Sequence, residues 1–259
     1  MKRRYTAPTG FSYDLYEDMT KQTHLLVAGA TGSGKSVVIN GIITSLLLRL
    51  PSKAGLILID PKRTELSPYK NLPHCLRYAS EPADMLDTLQ FAVAIVERRY
   101  KQMEIQGLRT YKGSDVYVII EELADLMTTC RKVVQPLIQR LCQIARAARV
   151  HVIAVTQCPL VTVIPTQIKV NFDGIIALRT RSAQDSRNII GATGAEKLPR
   201  YGECLYYTPS RTEIEHYRVP FVTEYEQQEM IQWWVRQYQA QKETQNKTRN
   251  GGLLRRLFG

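Results

Sequence analysis

The sequence predicts an α/β fold with a mainly parallel central sheet flanked by helices, and three observations carry that prediction. Short runs apolar at every position read as strands buried on both faces. They alternate with longer segments of helical period, the order that builds a parallel sheet. The 259 residues are 44% hydrophobic and 23% charged, which supplies one large core or two small ones and argues against wholesale disorder.

In chain order, strands are expected at 24–29, 55–60, 116–120 and 150–156, with a fifth at 174–180. Helices are expected at 35–50, 82–107 and 133–149. The second of these opens on Pro82 and closes near Gly107, the usual asymmetry of helix ends. Residues 202–207 and 213–219, separated by Thr208-Pro209-Ser210-Arg211, read as a terminal hairpin, followed by a helix over 224–239. Residues 240–252 read as a flexible linker. The apolar and basic ending, Leu253 to Phe258, is either a docking peptide for a partner, a DNA clamp or a frayed terminus. No internal repeat is found.

Lys and Arg total 35 against 24 Asp and Glu, a net charge of +11, so nucleic acid or an anionic membrane surface is the first partner to consider. Residues 131–200 hold eleven basic and three acidic side chains, which places most of the surplus in that segment. The longest apolar stretch, 37–48, is too short to span a bilayer, and the basic start is not followed by an apolar signal core. A cytoplasmic protein is expected. The five cysteines are widely spaced with no C-x-x-C pair, which argues against a zinc site or a disulfide framework. The four histidines form no H-E-x-x-H, and no serine lies in G-x-S-x-G.

Gly29-Ala30-Thr31-Gly32-Ser33-Gly34-Lys35-Ser36 matches G-x-x-x-x-G-K-[ST] between an expected strand and an expected helix. Glycines let successive backbone N–H groups turn inward around phosphates, and the positive end of the following helix adds to the attraction. Lys35 then reaches the β and γ phosphates of a nucleotide, and Ser36 offers a hydroxyl to Mg²⁺. Phosphoryl transfer further needs acids at a neighbouring strand end. Glu121 and Glu122 follow the 116–120 strand; Glu121 is assigned to the metal shell and Glu122 to activating the attacking water. The alternative is a pair of acids that simply favour a helix start. At the end of the next strand, Gln157 is placed to sense the γ phosphate. Asp60, which closes the second strand, reads more readily as a turn or cap residue than as a catalytic one. Trp233 and Trp234 are expected to pack into the core or a subunit contact.

These motifs, in this order, resemble the FtsK/SpoIIIE DNA-translocase motors of the wider HerA–FtsK group. The likeness runs from about residue 24 to 221. It rests on 24–36, on Ile-Asp-Pro-Lys at 59–62 with Glu65-Leu66, and on Pro73-His74. It continues in Glu-Leu-Ala-Asp-Leu at 122–126, Ala-Arg-Ala-Ala at 145–148, Thr156-Gln157, Asp-Ser-Arg at 185–187 and Gly-Ala-Glu at 194–196.

The resemblance implies a RecA-like P-loop motor domain over 24–222, preceded by an extension of 1–23 and followed by a helix over 223–239 and a basic tail over 240–259. It implies a hexameric ring around double-stranded DNA that pumps the duplex with ATP. In such rings a neighbouring subunit supplies an arginine finger; Arg187, Arg146 and Arg149 are the candidates. A motor indifferent to sequence contacts phosphates rather than base edges, and Lys62, Arg63, Lys169, Arg179, Arg181, Lys197 and Arg200 are the expected contacts.

The chain departs from the family pattern in three respects. Glu121-Glu122 stands where Asp-Glu is usual, so slow hydrolysis is one expectation. Cys158 replaces an arginine after the Thr-Gln pair. The long membrane-spanning N-terminal region and the winged-helix module of the cell-division members are missing, which reads as a stripped motor encoded by a mobile element and directed by a partner, with the tail as its docking site. The alternatives are a conjugative coupling or secretion-type ATPase, or a catalytically weak ATP-dependent switch of assembly.

Overall fold

The computed structural model describes residues 23–49, 54–157, 164–199 and 202–240. Residues 1–22 of the N-terminal extension, Cys158, Arg200 and the tail beyond Ala240 lie outside the described residues.

Eight strands form one sheet in the order β3-β2-β4-β5-β1-β6-β7-β8. Its parallel part comprises β1 (His24–Ala28), β2 (Ala54–Ile59), β3 (Cys75–Ala79), β4 (Asp115–Ile120), β5 (Val150–Thr156) and β6 (Gly174–Leu178). β1, β2, β4, β5 and β6 are buried at every position, the environment their unbroken apolar runs require. Between them run α1 (Lys35–Arg49), α2 (Pro82–Gln106), α3 (Leu123–Ile144), a single turn α4 (Thr166–Lys169) and α5 (Ala183–Ile190). Gly107 takes a left-handed conformation, φ 62°, and its N–H returns to the carbonyls of Met103 and Glu104, closing α2 where the sequence predicts.

Two expectations need correcting. The strand β3 is absent from the sequence reading, because it lies on the sheet edge and mixes Leu76, half exposed, with Arg77 instead of presenting an apolar run. The helix expected at 133–149 instead spans Leu123–Ile144. Its first half was hidden by a break in helical geometry at Cys130, φ −136° and ψ 37°, upstream of Pro136. Proline lacks the N–H and its ring crowds the carbonyl four residues earlier, so the chain yields near that point and the period changes phase. Residues 145–149 form the turn into β5.

The predicted hairpin is present as β7 (Glu203–Tyr207) and β8 (Glu215–Arg218), but β7 also pairs antiparallel with β6. It therefore continues the main sheet. A final helix, α6, covers 224–240.

The two sheet faces carry separate cores. α2 and α3 cover one, around Leu89, Val96, Val118, Ile138 and Val152. α1 and α6 cover the other, where Ile43, Leu47, Leu56, Leu58 and Tyr117 are buried and Met230 and Trp234 pack against them. Trp234 meets the His74 ring edge-on at 4.7 Å, whereas Trp233 is half exposed. Among the described residues no helix is long and apolar enough to cross a membrane.

Candidate nucleotide-binding site

The phosphate loop leaves the C-terminal end of β1 and is anchored to both neighbouring strands. Gly29 N–H donates to the Thr156 carbonyl at 3.3 Å, and Ala30 N–H to the Arg179 carbonyl at 2.8 Å. A side chain at Gly29 has no space: a Cβ there would stand 2.7 Å from both Leu178 Cβ and Ser33 Oγ. Gly34 has φ 101°, a conformation other residues rarely adopt. These two glycines thus set the path that turns the loop into the start of α1.

Lys35 is 9% exposed, and its Nζ donates to the carbonyls of Gly29 and Ala30, each at 2.9 Å. Burial presses its pKa below the ordinary lysine value, while Glu122 and Glu121 pull the other way. The ammonium is thereby held inside the curve of the loop.

Sheet order places the second half of the site. β5 lies between β1 and β4, so Gln157 and the Glu121-Glu122 pair emerge at the same edge as the phosphate loop. Glu122 is 3% exposed and is the N-cap residue of α3, yet its side chain makes no cap hydrogen bond to the helix. Its carboxylate instead accepts from the backbone N–H of Gln157 at 3.1 and 3.2 Å and from Lys62 Nζ at 3.3 Å. This geometry does not match a pair of acids that merely favour a helix start. The Gln157 side chain reaches the loop itself, with Thr31 Oγ1 donating to its Oε1 at 3.0 Å.

Glu121 is buried beside Glu122, and among the described residues its Oε2 has no hydrogen-bond partner. Burial pushes its pKa up to about 7, against the opposing effect of Lys62 and with reinforcement from Glu122, Asp60 and Glu65. Lys62 Nζ lies 3.8 Å from Glu121 Oε1. Burial works against the Lys62 charge, but the two glutamates outweigh it and hold its pKa above the ordinary value. An orphaned carboxylate oxygen at the same sheet edge as the phosphate loop fits a hard divalent cation, for which oxygen donors are the right chemistry. Among the described residues no group of three or more His, Cys, Asp or Glu side chains forms a metal cage. Mg²⁺ needs none, since it is bound by one or two protein oxygens together with substrate phosphates.

Asp60 is a turn residue: its Oδ2 accepts from the N–H groups of Leu66 and Ser67 at 3.0 and 3.1 Å. Lys62, expected on a DNA-facing loop, turns inward to the carboxylates. Lys62 lies in the loop after β2, and β2 pairs with β4, which brings it beside the acids that follow β4; that pairing is not readable from one strand alone. Arg63, with φ 59°, forms an ion pair with Glu81.

The remaining cations differ in burial. Lys169 is half-buried and donates to the Asn188 carbonyl at 2.5 Å. Arg181 and Lys197 are exposed, and Arg179 is partly so. Of the arginine-finger candidates, Arg146 and Arg187 are exposed. Arg149 is already engaged: Nε and Nη2 donate to the two oxygens of Asp115 at 2.7 and 2.6 Å, at the N-terminal ends of β4 and β5, away from the phosphate loop.

Comparison with known proteins agrees with this architecture. Residues 10–117 match the sequence model of the FtsK/SpoIIIE family. The DNA translocase FtsK of Staphylococcus epidermidis is 39% identical over 263 aligned residues, covering 92% of this chain and 33% of that protein. The Staphylococcus aureus protein of the same name is 41% identical, covering 86% of this chain and 31% of its own. The chain thus spans about a third of the length of the curated relatives it matches. Among solved structures, the pCW3 conjugation coupling protein TcpA with ATPγS superposes with a TM-score of 0.73 at 22% identity, covering 84% of this chain and 66% of that one. The likeness to TcpA shows the P-loop ATPase fold.

Proposed function

We propose, on the match of residues 10–117 to the FtsK/SpoIIIE family model, that the chain is an ATP-hydrolysing motor that moves double-stranded DNA without regard to sequence. The observation that carries this reading is the meeting of the phosphate loop, Glu122 and Gln157 at three adjacent strand ends, joined by the Gln157–Glu122 and Thr31–Gln157 hydrogen bonds.

In this reading the loop amides and Lys35 bind the β and γ phosphates. Ser36 and Glu121 would hold Mg²⁺, which supplies charge neutralisation on the phosphates. Glu122 accepts a proton from the attacking water as the water oxygen bonds to the γ phosphorus. The bond from that phosphorus to the bridging oxygen breaks, and its electron pair leaves with ADP. Gln157, tied to the loop through Thr31 and to the base through its own N–H, reports the state of the γ phosphate to both.

The partners belong to the same proposal. Identity near 40% to proteins named DNA translocase, against 22% to a conjugation coupling protein, favours duplex DNA as the substrate. A hexameric ring, a finger from Arg187 or Arg146 of the neighbour, DNA contacts from the exposed cations and a cytoplasmic site of action follow the family reading. A partner protein at the tail belongs to the same proposal.

The test is steady-state ATP hydrolysis with and without linear duplex DNA, with Lys35→Ala as the control for contamination. DNA-stimulated turnover that disappears in the variant supports the motor. Nucleotide binding without turnover in either condition sinks it in favour of an assembly switch.

A further inference from the structure

We infer that Lys62 is a positioning residue for hydrolysis: it fixes the carboxylate of Glu122 and acts on the reaction through that carboxylate, not as a DNA contact. The inference rests on the reading of Glu122 as the base.

A glutamate carboxylate rotates over a broad, two-fold terminal torsion. One donor leaves that rotation partly free. Here two donors come from different strands: Gln157 N–H from the end of β5, shared between both oxygens, and Lys62 Nζ from the loop after β2, on Oε2 at 3.3 Å. Together they set the plane of the carboxylate between its neighbours. Proton abstraction depends on this, because a base must lie within hydrogen-bond reach and a displacement of about 1 Å can cost about a hundredfold in rate.

The loop carrying Lys62 is built for a fixed position. Pro61 restricts the backbone immediately before it. The wholly buried Asp60 accepts from Leu66 and Ser67 N–H, while its carbonyl accepts from Arg63 N–H at 3.1 Å. Arg63 is held at φ 59°, unusual for a residue with a side chain, and is paired with Glu81. A strained residue persists where its surroundings over-determine it. The consequence is that Lys62 projects from an anchored turn even though its side chain is 37% exposed.

Charge points the same way. Glu121 and Glu122 are adjacent and buried, and Lys62 Nζ stands 3.8 Å from one and 3.3 Å from the other. A cation in that position offsets the repulsion that would otherwise turn the two carboxylates apart. Arg63, the next residue, points elsewhere, with 60% of its side chain exposed.

The experiment compares the full chain with Lys62→Met, Lys62→Gln, Lys62→Arg, Glu122→Gln and the Lys62→Met/Glu122→Gln double variant, each verified as folded by thermal melting. Turnover, KM for ATP and duplex DNA affinity across salt are measured for each. The expected result is a fall in kcat of about 10- to 100-fold in Lys62→Met and Lys62→Gln, with KM changed less than about threefold. Lys62→Arg recovers most of the loss, and Lys62→Met causes no further loss in the Glu122→Gln background, as expected for residues acting as a unit. DNA affinity and its salt slope stay as in the parent.

Unchanged kcat, or multiplicative losses in the double variant, overturns the inference. So does a DNA salt slope reduced by about one in Lys62→Met, which makes Lys62 a phosphate contact. Parental turnover in Glu122→Gln, or none in the parent, fails at the reading of the base itself and takes the inference with it.

Discussion

The backbone N–H of Gln157 donates to both carboxylate oxygens of Glu122, at 3.1 and 3.2 Å, and so ties the end of β5 to the turn between β4 and α3. A shift of either strand end changes the aim of this carboxylate, the base in the proposed hydrolysis. Glu122→Gln keeps the size of the side chain but removes its basicity. Turnover should fall by roughly 10²- to 10⁴-fold while ATP and DNA still bind, checked by phosphate release alongside equilibrium nucleotide binding. Normal turnover would move the base to another residue.

Gly29 sits against a strand that cannot move aside. In Gly29→Ala the new methyl meets Leu178 Cβ and Ser33 Oγ at 2.7 Å. Overpacking of this kind costs about 1–3 kcal/mol, and the loop must shift to relieve it. The expected outcome is a lower melting temperature and loss of the thermal shift on adding ATP, read by differential scanning fluorimetry.

Arg149 is treated by the structure as a stabilising residue. Its partner Asp115 has 1% of its side chain exposed, so Arg149→Ala leaves a buried carboxylate whose remaining hydrogen-bond partner among the described residues is His151 at 3.2 Å. Breaking a buried pair costs about 3–5 kcal/mol; with a third of the Arg149 side chain in solvent, about 2–3 is expected. A chemical denaturation midpoint measures it. Unchanged stability with lost turnover would instead mark Arg149 as the finger.

His24 gives the fold an acid sensitivity. It is buried, its Nδ1 accepts from Val152 N–H at 3.1 Å, and burial, assisted by His151 and Arg146 and opposed by Asp173, lowers its pKa to about 4. The unfolded chain binds this proton near pH 6.5, ahead of the folded one. Stability is therefore complete above about pH 6.5 and falls as pH drops toward 4, by about 2 kcal/mol between 6.5 and 5. Asp115, held at about 2 because its hydrogen bonds from His151 and Arg149 outweigh burial, adds its loss only below about pH 4. Denaturation midpoints from pH 7 to 5 should slope downward in the parent and flatten in His24→Asn. An equal slope in both would remove His24 as the cause.

Binding to duplex DNA through phosphates releases counterions. Affinity should fall at least about tenfold between roughly 50 and 200 mM salt, with little difference between DNA sequences. Filter binding or anisotropy across that range measures it, and a flat response would exclude a phosphate-lined channel.

Much of this was legible in the sequence because the signals are local. The octapeptide 29–36, the apolar strands and the Gly107 helix stop each depend on neighbouring residues, and β1, β5 and α1 lie within a residue of expectation. The acids at 121–122 were legible for the same reason. The edge strand β3 and the first half of α3 were not, since one lacks a buried face to impose a pattern and the other breaks phase at Cys130.

By itself the sequence determined the phosphate loop, the buried strands and the identity of the acids. Only the tertiary structure decided that Lys62 meets those acids and that Arg149 belongs to Asp115. The reason is that β2, β4, β5 and β1 become neighbours by hydrogen-bonded pairing across long stretches of chain. Which charged side chain then finds which partner is set by the distance between strand ends and by the cost of burying a charge alone, neither of which is written in the order of residues.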